Sequence, residues 1–317
     1  MRTLTVSLLA GFSFLGVPAA QAADLDYGVL RGPEYETVAP VIDWSGVYVG
    51  GHGGHSSANI NFKNVYQPLV RSVTAFSTAE SDFGASGLMS PGSKTTQGGS
   101  FGAYAGYNYV FDDTVIGLEV DYTRFDQAAG TDERISRFKT NSIGYLETVD
   151  LSGTASRRIE DYGTVRVRGG YAIDNFLPFV TAGLAIGRMQ VAERAVVRNY
   201  GYDDNTYKAN QALTTGLPTF VNNFGYASFS QTNPAGSIPA SGQVVTNNKT
   251  KVVGGITLGA GVEFALTSNI ILRAEYQYVM LNDFSAKFKT VNGVEVQGGA
   301  VGATSINTVR AGAAVKF

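Results

Sequence analysis

After Asp43 the chain repeats one pattern. Stretches of alternating apolar and polar residues are separated by gaps that are in turn very short and very long. Alternation with period two puts successive side chains on opposite faces of a β-strand. Eight such stretches are present, at 44–55, 98–111, 114–125, 159–173, 176–189, 251–266, 270–282 and 304–317. Three gaps are tight turns: Asp112-Asp113, Asp174-Asn175 and Thr267-Ser268-Asn269. The gaps at 56–97, 126–158, 190–250 and 283–303 are long, polar and rich in Gly, Asn and Ser. Each stretch is at least as long as the ~9–11 residues a tilted strand needs to cross a bilayer. Short turns at one end and long loops at the other predict an all-β fold. The expected architecture is an eight-stranded antiparallel up-and-down transmembrane β-barrel with short periplasmic turns and long extracellular loops.

The faces can be assigned, and the turns test the assignment. In 114–125, Ile116, Leu118, Val120 and Tyr122 share one side, and Glu119, Asp121 and Thr123 the other. In 270–282, Leu272, Ala274, Tyr276 and Tyr278 oppose Arg273, Glu275 and Gln277. Val165 and Val167 oppose Arg166 and Arg168, while Leu258 and Val262 oppose Thr257 and Glu263. In the last stretch Val309, Ala311, Ala313, Val315 and Phe317 oppose Thr308, Arg310, Gly312 and Lys316. A two-residue turn pairs positions of opposite parity and a three-residue turn pairs positions of equal parity. The polar faces obey this at all three turns.

Amphipathic strands alone do not tell inside from outside. A secreted lipocalin-like barrel or sandwich would bury the apolar face instead. Here the charged face is sparse and studded with Gly, as a narrow lumen requires. Aromatics fall near both ends of the apolar face, at Tyr107, Phe111, Tyr171, Phe264 and Phe317 and at Tyr122 and Tyr278, like two interfacial girdles. The apolar face is therefore expected to meet lipid. Glu119, Asp121, Arg166, Arg168, Glu263, Arg273, Glu275, Arg310 and Lys316 are then expected in the lumen, with Glu263 directly across from Arg273. Mixed-sign pairing is the stable arrangement for charges in so narrow a space. The bland reading of this set is a structural polar plug; the alternative is a conducting path for small solutes.

Composition narrows the chemistry. With no Cys there is no disulfide, zinc-thiolate site, iron–sulfur cluster or thiol nucleophile. A formal charge of −2 argues against a nucleic-acid partner. The only two His, His52 and His55, lie on opposite faces of one strand, so they cannot readily share an ion; both read as polar rim residues. Residues 1–22 read as a secretory signal peptide. Arg2 precedes an apolar run, and Ala20-Gln21-Ala22 forms a small-x-small site cleaved after Ala22. Residues 23–43, acidic and Pro-bearing, read as a flexible periplasmic lead-in, and 44–317 as the barrel. No catalytic residues, metal or cofactor are expected.

The stretch Trp44-Ser45-Gly46-Val47-Tyr48-Val49-Gly50-Gly51 resembles the Trp-x-Gly-Phe-Tyr-x-Gly-Gly first strand of alphaproteobacterial outer-membrane proteins of the RopB type, porin-family relatives of OmpA-like barrels. The resemblance covers the strands and the leader. It implies an outer-membrane location, contact with outer-membrane lipid and lipopolysaccharide, and a role in envelope integrity and surface interactions. Phe317, an aromatic on the last strand, resembles the signal read by the barrel-assembly machinery. Some members of the group bind haemin, which keeps a haem-binding surface protein as a third reading after the small-solute porin. The 56–97 and 190–250 loops are longer than in small members, so the group's loop-borne functions do not carry over; both loops are themselves candidates to bind extracellular ligands. Within 190–250, residues 219–229 are aromatic-rich and read as a hairpin strand above the membrane, or as part of a ten-stranded barrel.

Overall fold

A computed structural model describes residues 42–225, 229–233, 242–282 and 303–317, and the backbone of Phe288–Val291 and Val294–Gln297. The proposed leader, and nearly all of the lead-in, lie outside the described residues. Eight strands make a closed antiparallel ring: β1 Gly46–Ile60, β2 Lys94–Phe111, β3 Thr114–Thr140, β4 Leu146–Tyr171, β5 Phe176–Tyr202, β6 Gln243–Ala265, β7 Ile270–Asn282 and β8 Thr304–Lys316. Each strand pairs with its sequence neighbours, and β1 pairs with β8, for example Tyr48 opposite Lys316. The three turns sit where the parity argument put them, with Phe111 opposite Thr114, Ile173 opposite Phe176, and Ala265 opposite Ile271. Asp112 and Asp174, which open the two-residue turns, have φ of +51° and +50°, a region that short polar Asp and Asn tolerate.

The strands are longer than the alternation suggested. Most of 126–158 and much of 190–250 are strand, not loop. β3 and β4 form one long hairpin, and β5 and β6 continue beside it. β2 leaves β3 at Arg124 and β7 leaves β6 at Gly254, so above those points β3, β4, β5 and β6 continue as a four-stranded wall paired to neither β2 nor β7, while β1 and β2 continue as a pair of their own. The 219–229 segment contributes only the two-residue strand Asn223–Phe224, paired with Gly201–Tyr202 at the top of β5. The ring has eight strands, not ten.

β5 shows why the extension was hidden. Its outward face runs Val180, Leu184 and Ile186, then changes to Arg188, Gln190 and Arg194; its inward face runs Thr181 and Gly183, then Met189, Val191, Ala195 and Val197. Along one unbroken strand the apolar face swaps sides. An apolar outer face suits lipid and a polar outer face suits water, so the surrounding medium is expected to change at the swap. From Phe176 to Ile186 the outward band covers about 33 Å of strand at ~3.3 Å per residue, which at a tilt near 40° stands about 25 Å tall, the height of a transmembrane apolar belt. In β4 an extra residue, Glu160, makes a bulge against β5 and flips the parity, so Thr164, Arg166 and Arg168 point inward below it and Ile159, Ala155 and Leu151 above it.

The segment between β1 and β2 folds into α1 Gln67–Thr74 and α2 Thr78–Phe83. Phe62, Tyr66, Leu69, Val70 and Ala79 pack with Leu151, Ile159, Met189, Val191 and Val197 of the wall into one apolar cluster above the charged lumen. The first loop is thus a lid over the barrel mouth. At the opposite end Trp44, Val115, Leu177 and Ile271 form a smaller apolar floor. Lys316 Nζ donates to the carbonyls of Asp43 at 2.5 Å and Ser45 at 2.9 Å, and Trp44 Nε1 reaches the Asp174 carbonyl at 3.2 Å. No helix among the described residues is long and apolar enough to cross a membrane.

Candidate functional site: the charged lumen

Between floor and lid the inward positions of the strands converge. All nine charged residues assigned to the lumen from sequence are buried there. Eight of them form a chain of alternating sign. Arg168 Nη2 donates to Glu263 Oε2 at 2.7 Å, and Arg273 Nε donates to Glu263 Oε1 at 2.8 Å. Arg273 Nη2 donates to Glu119 Oε2 at 2.6 Å, and Glu119 also pairs with Arg166. Arg166 Nη1 donates to Glu275 Oε1 at 2.6 Å. Arg310 Nη2 donates to Glu275 Oε2 at 2.9 Å and its Nη1 to Asp121 Oδ2 at 2.8 Å. Lys316 sits apart from this chain, at the floor. Arg166 has no solvent exposure at all.

Four further residues complete the lumen that the charge pattern alone did not bring out. His52 Nε2 lies 3.0 Å from Asp121 Oδ2 and 3.1 Å from Arg310 Nη1, so His52 belongs to the interior and not to the rim. His55 faces outward and is exposed, so the two imidazoles point away from each other. Tyr48 donates to Glu119 Oε2 at 2.8 Å. Arg273 stacks 4.2 Å from the Tyr104 ring centre and Arg168 4.6 Å from that of Phe179. The signal for the three aromatics was in the register: Tyr48, Tyr104 and Phe179 share the parity of the inward-facing positions on their strands.

Small residues make room for these large ones. A Cβ on Gly50 would lie 2.5 Å from Tyr104 Cζ and 2.6 Å from the Ala313 carbonyl oxygen. One on Gly259 would lie 2.5 Å from Thr181 Oγ1 and 2.8 Å from Glu275 Oε1. Inward-facing glycines let the guanidinium and phenol groups cross the full width of the lumen.

A second ionic site lies higher, in the part read from sequence as loop. Arg157 Nη2 reaches Glu193 Oε1 at 3.4 Å, Asn247 Nδ2 donates to Glu193 Oε2 at 2.8 Å, and Arg157 Nη1 donates to the Asn61 carbonyl at 2.5 Å. The Arg157 guanidinium also lies 5.3 Å from the Phe62 ring centre, tying the wall to the lid. No group of three or more His, Asp or Glu among the described residues is arranged to hold a metal ion.

An eight-stranded ring with an apolar outer belt and a filled, charge-paired interior is a membrane-spanning β-barrel. The model of the OmpA-like transmembrane domain matches residues 144–317, and the chain belongs to that family. It is an outer-membrane protein. The chain is 27% identical to the 31 kDa outer-membrane immunogenic protein of Brucella melitensis over 86% of each chain. It is 26% identical to the 22 kDa outer membrane protein of Rhizobium leguminosarum bv. viciae over the whole of both. Similar solved structures include Neisserial surface protein A, at 13% identity and a TM-score of 0.31, covering 86% of this chain and 98% of that one. Ail of Yersinia pestis matches at 12% identity and a TM-score of 0.30, covering 86% and 99%.

Proposed function

We propose that this outer-membrane barrel is closed and non-catalytic, serving envelope integrity and presenting a folded platform above the membrane. The observation that carries this reading is the lumen: an alternating chain of charges crosses it at mid-height, and the lid's apolar cluster lies above. A water-filled path would need unpaired polar surface along the axis, whereas here each charge of the chain is spent on a neighbour. The wall and lid give the chain a large outward surface, in keeping with the name of its Brucella relatives, immunogenic outer-membrane proteins. Outer-membrane lipid and lipopolysaccharide are the partners proposed for the outward belt. The barrel-assembly machinery is the partner proposed for Phe317, exposed at the base of the last strand. The test is planar-bilayer recording of the refolded protein. Silent membranes at protein levels that give full barrel on a gel are expected; stable unitary currents would overturn the reading in favour of a small-solute porin.

A further inference from the structure

The outer face of the wall carries a cluster used by neither the lumen nor the lid. Ser136, Asp150 and Arg198 lie abreast on β3, β4 and β5 in consecutive register, and Arg134 and Tyr200 flank them on the same face. Asp150 is held between two guanidinium groups: Arg134 Nε and Nη2 reach its oxygens at 3.3 and 3.2 Å, and Arg198 Nη1 at 3.4 Å. The Asp150 side chain is 11% exposed, against 73% for Arg134 and 37% for Arg198. These five residues line a cavity of about 390 Å³, within the ~300–1,000 Å³ usual for small-ligand sites.

Two cations share one anion, so the site keeps a positive charge. Arg134 Nη1 and Arg198 Nη2 donate to nothing among the described residues. A strand-to-strand tie needs one pair; a second guanidinium held against the same carboxylate, with donors facing out, forms a fork suited to an incoming carboxylate or phosphate. Beside the fork are groups that suit a sugar: the Ser136 hydroxyl, the Asp150 oxygens, and the Tyr200 and Phe138 rings, which share one register row. Phe138 is an exposed aromatic with no packing role in the core.

Height selects the class of ligand. Arg198 stands ten positions beyond Arg188, where the outward belt ends. That is about 33 Å of strand, or about 25 Å of vertical rise at barrel tilt. Lipid phosphates do not reach so far; surface carbohydrate does. We propose that Arg134, Asp150 and Arg198, with Ser136 and Tyr200, form a binding site for an anionic sugar. Its carboxylate or phosphate is taken by the two guanidinium groups, and its neighbouring hydroxyls by Asp150 and Ser136. The site lies on the outer face and is independent of whether the lumen conducts.

The experiment is calorimetric titration of the full-length protein in detergent with oligogalacturonate and with glucose 1-phosphate, using neutral galactose oligomers as the control. Binding of the anionic sugars alone is expected, and Arg134→Ala or Arg198→Ala should each weaken it by roughly tenfold or more, the loss of a charge-assisted hydrogen-bond pair. Arg198→Lys should recover part of the affinity. The variants should keep the parent's heat-dependent gel shift, because the cluster lies above the membrane barrel. Lipopolysaccharide from the producing bacterium and a foreign uronate polymer, tested as competitors, distinguish the cell's own surface from an external glycan. Competition by either one supports the site and names its source. Equal affinity of parent and both alanine variants, or no binding of any anionic sugar by the parent, overturns it.

Discussion

Arg273 stands directly across the β6–β7 hairpin from Glu263, and Arg168 holds the other oxygen of the same carboxylate. The pairing is shared, and that sets the cost of breaking it. In Arg273→Leu, Glu263 keeps Arg168, and Glu119 keeps Arg166 and Tyr48, so no carboxylate loses its last partner. The lumen is left with a surplus negative charge, a loss near ~3 kcal/mol, at the low end for a broken buried pair. Glu263→Leu is worse. It leaves Arg168 and Arg273 facing each other, with the Tyr48 hydroxyl and the Tyr48 and Phe179 rings as the remaining partners of Arg168 among the described residues, at about 5 kcal/mol. The temperature at which the folded band converts to the unfolded band on a detergent gel should fall in that order. Equal midpoints for both variants and the parent would show that the network does not stabilise the barrel.

A paired glycine test separates lumen from lipid. Gly50 and Gly51 are neighbours on β1, but Gly50 faces Tyr104, whereas the nearest atom to a Cβ on Gly51 is the Gly102 carbonyl oxygen at 3.6 Å. Gly50→Val forces a ring and a strand apart, and overpacking of this kind costs roughly 1–3 kcal/mol or more. Gly51→Val adds apolar surface toward lipid at ordinary contact distance and should fold like the parent. The yield of heat-modifiable barrel after refolding reports both.

How much of this was legible in the residues depends on which medium bathes each face. Where lipid lies outside, the pattern is clean: Leu118, Val165, Leu184 and Leu258 face out, Glu119 and Arg166 face in, and the turn parities follow. The register of the charged lumen came with it. The upper wall did not, because Met189, Val191 and Ala195 are apolar on the parity that is polar lower down, which reads as the end of a strand. At Glu160 the bulge shifts parity as well, so a strict period-two rule cannot cross it. Read as a strand that stops at His55, the first stretch puts His52 on the rim; β1 in fact continues to Ile60 and carries His52 well inside. The lid was illegible for another reason. α1 and α2 are short, and their packing comes from Leu151 and Val191, far away in sequence.

The lid responds to acid through Glu80. Burial by itself would raise this carboxyl, but hydrogen bonds from the Ser86 hydroxyl and backbone N–H and from Thr74, with the Arg71 charge nearby, outweigh it and hold Glu80 below the usual carboxylate range. A depressed folded value means that the stability is fully present above the unfolded value near ~4.3 and is lost as pH falls through the folded one. Allowing for partial solvent exposure, the contribution is about 1–2 kcal/mol. Hydrogen exchange in α1 and α2 should therefore accelerate below about pH 4 relative to the wall strands, after correction for intrinsic rates. In Glu80→Gln the lid should be looser at neutral pH and lose that acid step; an unchanged pH profile in the variant would contradict the assignment.

The position of the membrane along β5 can be read with single arginines. Leu184 faces outward within the proposed apolar belt and is 67% exposed, while Ala192 faces outward four positions beyond Arg188. If the swap of faces at Arg188 marks the lipid boundary, Leu184→Arg puts a charge into acyl chains and costs about 2–4 kcal/mol at mid-depth, falling toward the interface. Ala192→Arg puts the same charge into water, beside Ser156 and Asn248 of the neighbouring strands, and should cost almost nothing. Refolding equilibria into lipid vesicles measure both. Equal penalties would mean that the belt extends above Arg188 and the wall is embedded, which would place the outward Arg134–Asp150–Arg198 cluster in the wrong solvent and remove the basis for sugar binding there.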